Sequence, residues 1–166
     1  NISRLKDEKA ELMSTVTTMS GTIVGSPSLE VGDIVPSFEA VTTEGKPISI
    51  VYNGSSDYLL YIFSSHCDVC IGQFPNWNLI ASRAKLMNYT VIGVAIDYEN
   101  NNASLSKNDK NFEICLMANR SVQRAYRVVA VPLVMLVSRQ GNVKWMHYGA
   151  LSSDKIKEIS SFMGLE

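Results

Sequence analysis

Two cysteines, Cys67 and Cys70, stand two residues apart in the run Ser64-Ser65-His66-Cys67-Asp68-Val69-Cys70. A disulfide exchanges by thiolate attack, so a protein that trades disulfides needs one exposed sulfur poised to ionise and a second within reach to resolve the mixed disulfide. A two-residue spacing at the start of a helix meets both needs. Backbone N–H groups of the first turn and the positive end of the helix dipole favour the Cys67 thiolate, lowering a pKa that is about 8.5 in a free thiol. Cys70, one turn on, shares that face and is less exposed. The expectation is therefore Cys67 as attacking nucleophile and Cys70 as resolving thiol. Asp68, between them, opposes thiolate formation by its charge, whereas a protonated His66 would assist it.

The same pair could instead be half a zinc site or two core thiols. A zinc site needs four ligands, and beyond the pair the chain offers only Cys115, His66 and His147 as Cys or His, with no second closely spaced pair. Ile71 after Cys70 removes the Cys-x-x-Cys-His pattern of covalent haem attachment. Cys115 lies in an apolar segment and reads as a buried, inert thiol. His147 alternates with Trp145, Met146 and Tyr148 and reads as a surface or edge residue, although Met and His near a cysteine pair keep copper in view.

The rest of the chain bounds the setting. Its 166 residues suit one domain with a short appendage, and 46% hydrophobic with 19% charged residues is the composition of a folded chain. A net charge of -1 without a basic block argues against nucleic acid as partner. No apolar run approaches the ~18 residues of a membrane span, and three cysteines are too few for a disulfide scaffold. The chain begins at Asn1 rather than Met, which leaves room for a signal or membrane anchor upstream.

The elements that must position the cysteines follow from periodicity. Residues 2–19 suit an amphipathic helix or a solvated leader and residues 20–27 a linker, giving a division into residues 1–27 and a domain over residues 28–166. Residues 38–41 and 48–50, around Glu44-Gly45-Lys46, form a hairpin, and the apolar run 58–63 is a strand covered on both faces. Phe74, Trp77, Ile80, Ala81, Ala84 and Met87 recur at helical steps, with Phe74, Trp77 and Met87 reading as core, and Pro75 is expected to bend that helix. Strands follow at 90–96, 113–117, 133–137 and 143–148, with a polar stretch from Asp97 to Asn111, a short helix at 121–126 and a turn at Gln140-Gly141-Asn142. Ile156, Ile159, Phe162 and Met163 mark a closing helix, with Gly164 beyond its end. Strands alternating with helices predict an α/β layer structure with a hairpin at a sheet edge.

These residues resemble a known family. Phe63 to Cys70, the helix proline Pro75, Val131-Pro132 before a strand and Gly141 in the following turn look like a thioredoxin-like protein. Val31-Gly32-Asp33 with Pro36, Phe38 and Gly45 is similar to the TlpA/ResA-like branch. The resemblance implies a thioredoxin-like fold, a central mixed sheet flanked by helices with an added N-terminal β-hairpin and a leading helix. It also implies that Pro132 is cis and that Val131 presents its backbone to an extended substrate segment, a strand-like contact. No cofactor beyond the cysteine pair is implied. The implied partners are a protein thiol or disulfide substrate and a redox-partner protein, outside the cytoplasm and with a possible membrane tether through an upstream N-terminal anchor.

Several positions depart from the family pattern. His66 and Val69 stand where an aromatic residue and a proline are frequent, Gln73 where a carboxylate is common, and Tyr61 where thioredoxins proper keep a buried acid. Proton handling at Cys70 is thereby set apart from the family's. The expected activity is thiol–disulfide exchange, most often as a reductant in extracytoplasmic protein or cytochrome maturation. One alternative is a thiol peroxidase, for which Ser64 fits the Pro-x-x-x-Thr/Ser-x-x-Cys pattern and Leu60 does not. The other is a copper or zinc carrier using Cys67, Cys70 and His66.

Overall fold

A computed structural model describes residues 29–97, 110–117 and 119–164. Seven strands, β1 (Phe38–Thr42), β2 (Pro47–Ile50), β3 (Tyr58–Phe63), β4 (Thr90–Ala95), β5 (Glu113–Leu116), β6 (Leu133–Val137) and β7 (Val143–Tyr148), form one sheet in the order β2-β1-β5-β4-β3-β6-β7. Strands β3, β4 and β5 run parallel, and β6 and β7 continue the sheet antiparallel on one side. On the other side β1 pairs antiparallel with both β5 and β2. The helices are α1 (Asp68–Gly72), α2 (Phe74–Leu86), α3 (Arg120–Ala125) and α4 (Ser153–Phe162). This is the expected mixed sheet flanked by helices, with the expected N-terminal hairpin at one edge and β6–β7 forming a second at the other.

The continuous apolar runs of β3 and β6 are buried at every position because both sheet faces are covered. Strand alternation divides them between two cores. Leu59, Tyr61 and Phe63 point to the face occupied by Trp77, Ile80, Ala81 and Ala84 of α2 and Ile159 of α4. Leu60 and Ile62 point to the opposite face, against Tyr126, Phe38, Val35 and Leu29. Gly93 in β4 is required by packing: a Cβ there would meet Phe112 Cε2 at 2.9 Å and Ile114 Cγ1 at 3.2 Å. The space it leaves seats Phe112 edge-on against Tyr61, ring centroids 5.2 Å apart. Gly141, with φ of 91°, turns β6 into β7 and brings its backbone against Val35, whose N–H it accepts at 2.9 Å.

Two expectations need correction. Pro75 does not bend a helix: the helical stretch is already divided at Gln73, which ends α1 and begins α2, so Pro75 falls in the first turn of α2. No intrahelical acceptor needs its missing N–H there, and its fixed φ suits the position. Met87 is 40% exposed rather than core, because it caps the end of α2 beyond the last turn that faces the sheet. The expected leading helix and linker, and all of the polar stretch between residues 98 and 109, lie outside the described residues.

Candidate active site

Parallel pairing of β3 with β4 puts Phe63 opposite Ala95, so both strands leave the sheet at the same end. Strand β6 runs the other way, with Leu133 opposite Ile62, so Val131 and Pro132 enter the sheet at that end too. Three stretches far apart in sequence, residues 64–70, 96–97 and 131–132, are thereby gathered by strand register. The Val131–Pro132 peptide is cis. The Pro132 carbonyl accepts the Gly149 N–H at 2.8 Å, while the Val131 amide and carbonyl have no hydrogen-bond partner among the described residues.

Cys67 is the N-cap of α1, in extended backbone conformation, and its Sγ accepts the Cys70 N–H at 3.2 Å. A thiolate in that place would receive the same donor with the helix dipole behind it. The Cys67 and Cys70 sulfurs are at bonding distance, with Cα atoms 5.2 Å apart. Cys67 is half-buried and Cys70 wholly buried, so solvent reaches only the first sulfur. His66, Asp68 and Val69 are exposed around it, and Asp68 lies in the first turn of α1.

Behind the cysteines the site is apolar. Tyr61 stacks on Trp77, ring centroids 4.6 Å apart and planes within 7°, and donates its hydroxyl to the Trp77 carbonyl at 3.0 Å. Burial pushes the Tyr61 phenol well above its ordinary value, so this position carries a neutral hydroxyl rather than a charge. Gln73 uses its side-chain oxygen to accept the Leu151 N–H at 2.9 Å, tying the α1–α2 junction to the segment before α4.

One residue of the site carried no signal in the sequence. Asp97, the residue after Ile96 at the end of β4, accepts the Ser64 hydroxyl at 2.5 Å, the Ser65 N–H at 2.8 Å and the Ser65 hydroxyl at 2.9 Å. Burial raises the Asp97 carboxyl, but the hydrogen bonds from Ser64 and Ser65 and the nearby His66 outweigh it, and the net shift is downward. Sequence placed Asp97 at the head of a polar stretch. Only the knowledge that β3 and β4 are parallel neighbours would have set it beside Ser64.

The other cysteine and histidine stand apart from this arrangement. Cys115 is a free thiol buried in β5, pushed up to about 12 by burial and by the neighbouring Glu113. His147, on edge strand β7, pairs its Nε2 with the Ala150 carbonyl at 3.0 Å. Among the described residues, no three His, Cys, Asp or Glu side chains converge as a cation site.

The family model for the AhpC/TSA family matches residues 31–146. No curated protein sequence matches the chain. Among solved structures it is similar to the thioredoxin domain of a thiol-disulfide oxidoreductase from Bacteroides vulgatus, at 20% identity and TM-score 0.68, covering 82% of this chain and 99% of that one. It is also similar to StoA from Bacillus subtilis, at 22% identity and TM-score 0.61, covering 76% and 98%. A third is a secreted Mycobacterium tuberculosis disulfide oxidoreductase homologous to E. coli DsbE, at 19% identity and TM-score 0.63, covering 76% and 94%. At these identities the structures establish a thioredoxin-like fold. The family match spans most of the chain, and the cysteine pair lies at disulfide distance on a thioredoxin-like fold: the chain belongs to the AhpC/TSA family.

Proposed function

We propose that this chain exchanges disulfides with protein substrates, Cys67 attacking and Cys70 resolving. The observation that carries the reading is the unequal exposure of two sulfurs at bonding distance. In the reducing direction the Cys67 thiolate attacks one sulfur of a substrate disulfide. That bond breaks, and the released substrate sulfur takes up a proton. Cys70 then loses its proton and attacks Cys67, freeing the second substrate thiol and leaving Cys67–Cys70 oxidised. Two electrons pass from the pair to the substrate, and no other cofactor is called for.

An extended substrate segment would find hydrogen-bonding groups in the Val131 backbone, next to cis Pro132. Val69 and Val129, 53% and 60% exposed, offer apolar contact on the polypeptide to either side. His66 and Asp68 modulate the Cys67 sulfur by charge, and Gln73 lets Cys70 react without an adjoining carboxylate. We assign the finer role to reduction of maturing proteins outside the cytoplasm, cytochromes included. Likeness to a secreted Mycobacterium tuberculosis disulfide oxidoreductase homologous to E. coli DsbE supports that placement.

Reduction of insulin disulfides tests the exchange. Wild type should turn over, Cys67→Ser should be inactive, and Cys70→Ser should accumulate a mixed disulfide visible as an intact-mass adduct. A Cys67→Ser variant as active as wild type would overturn the reading. A reductive role further requires a Cys67–Cys70 potential more negative than that of the client's disulfide.

The family match also favours a second reading, peroxide reduction at Cys67. The thiolate would attack one peroxide oxygen, breaking the O–O bond to give a sulfenic acid and releasing the other oxygen as water or alcohol, and Cys70 would then attack the sulfenic sulfur and expel water to close the disulfide. Against it, Leu60 lies buried in β3 where the peroxidase pattern has proline, and the Ser64 hydroxyl is already donated to Asp97. Peroxide consumption that depends on Cys67, without insulin reduction, would establish it instead.

A further inference from the structure

Resting on the exchange reading, we propose that Asp97 is a positioning residue: its carboxylate ties the Ser64–Ser65 turn to the end of β4 and so holds Cys67 where its sulfur caps α1. The connection can be followed bond by bond. Ile96 is fixed in place by donating its N–H to the Phe63 carbonyl at 2.9 Å, the last link between β3 and β4. Its neighbour Asp97 then receives both serine hydroxyls and the Ser65 N–H.

The Ser64 hydroxyl oxygen, oriented by that donation, accepts the His66 N–H at 3.1 Å. The Ser64 carbonyl accepts the Cys67 N–H at 3.2 Å. One carboxylate thus holds the Ser65 amide directly and the His66 amide through the Ser64 hydroxyl, while the carbonyl of that same tethered serine holds the Cys67 amide. Bonds to an ionised acceptor are shorter and stronger than neutral ones, which suits a clamp that must survive at a partly exposed site.

Such a clamp matters because a disulfide exchange aligns three sulfurs, and a turn free to move would spread the Cys67 sulfur over many poses. Misplacement by a fraction of an ångström to an ångström is costly to rate. The geometry requires an oxygen acceptor more than it requires charge. Asp97→Asn keeps one oxygen for Ser65 but loses the acceptor for the Ser64 hydroxyl, whereas Asp97→Ala loses both.

The test compares wild type, Asp97→Asn, Asp97→Ala, the Ser64→Ala/Ser65→Ala double variant and the combination of all three alanines. Insulin reduction gives kcat/KM, iodoacetamide alkylation of the reduced protein across the range in which Cys67 ionises gives a reactivity profile, and circular dichroism reports the fold. Asp97→Ala should lose about tenfold in kcat/KM and shift the alkylation profile with the fold intact, Asp97→Asn should fall between it and wild type, and the combined variant should lose no more than Asp97→Ala alone.

Wild-type kcat/KM and profile in Asp97→Ala, or losses that multiply in the combined variant, would overturn the proposal. Should Asp97→Ala fail to fold, Asp97→Asn and the serine double variant carry the same comparison. If wild type does not reduce insulin, the exchange reading fails, and the alkylation profiles still decide whether Asp97 positions Cys67.

Discussion

Gln73 holds Leu151 by a single hydrogen bond, side-chain oxygen to backbone N–H at 2.9 Å, across 78 positions of sequence. The bond links the residue that separates α1 from α2 to the segment entering α4, immediately behind the cysteine turn. A carboxylate at this position would accept the same N–H. The amide does so without a charge that could exchange protons with Cys70.

Replacing Gln73 by Ala removes an acceptor from a partly buried amide and should lower stability by about 1 kcal/mol, read as a lower urea midpoint in the oxidised protein. Gln73→Glu keeps an acceptor oxygen and should stay within about 0.5 kcal/mol of wild type at neutral pH. An equal loss in both variants would show that the bond contributes nothing.

Acid should weaken the clamp at Asp97. Its carboxyl is held below the ordinary value of 3.8, so its contribution is fully present above that pH and is lost as pH falls through the lowered folded value. His66 and Asp68 are the charged neighbours on the cysteine turn, and both are exposed. The stability gap between wild type and Asp97→Asn, measured by urea unfolding, should be constant near neutrality and narrow below about pH 4. A gap that widens in acid would contradict the sign.

Thiol labelling should separate the three cysteines. In the reduced native protein Cys67 should react first, Cys70 slowly because it is buried, and Cys115 only after unfolding, since burial and Glu113 push its thiol up to about 12. Cys115→Ala should retain disulfide-exchange activity within about twofold, a prediction of bystander status that rests on its position in β5, remote in sequence and strand from the cysteine turn. Prompt labelling of Cys115 in the native state, by mass mapping, would refute its burial.

Gly93→Ala tests the packing between β4 and the aromatic cluster. The added methyl would press on Phe112 at 2.9 Å, and the ring, held against Tyr61 and Phe74, has little room to withdraw. A loss of about 1–3 kcal/mol is expected from overpacking, with the cysteine pair's reactivity unchanged. A neutral substitution would mean that Phe112 repacks freely.

Much of this was legible along the chain because it is local. The run 58–63 reads as a doubly covered strand from composition alone, and it is buried throughout. The spacing of Cys67 and Cys70 sets two sulfurs one helical turn apart wherever the helix lies. Pro75 was misread because a helical period does not reveal a break: Phe74, Trp77, Ile80 and Ala84 keep step whether α1 and α2 are one helix or two. Met87 carries the right residue type at the right step, yet it falls past the arc that meets the sheet.

The amino-acid order by itself determined the strands, the cysteine pair and its helix-capping place, since hydrophobic period and short spacing act within a few residues. Strand order and register decided that Asp97 would clamp Ser64 and Ser65 and that Val131 and Pro132 would arrive at the same sheet end, and helix placement on the sheet decided that Gln73 would hold Leu151. Those contacts join residues dozens of positions apart, and nothing in local propensity encodes which strand will lie beside which.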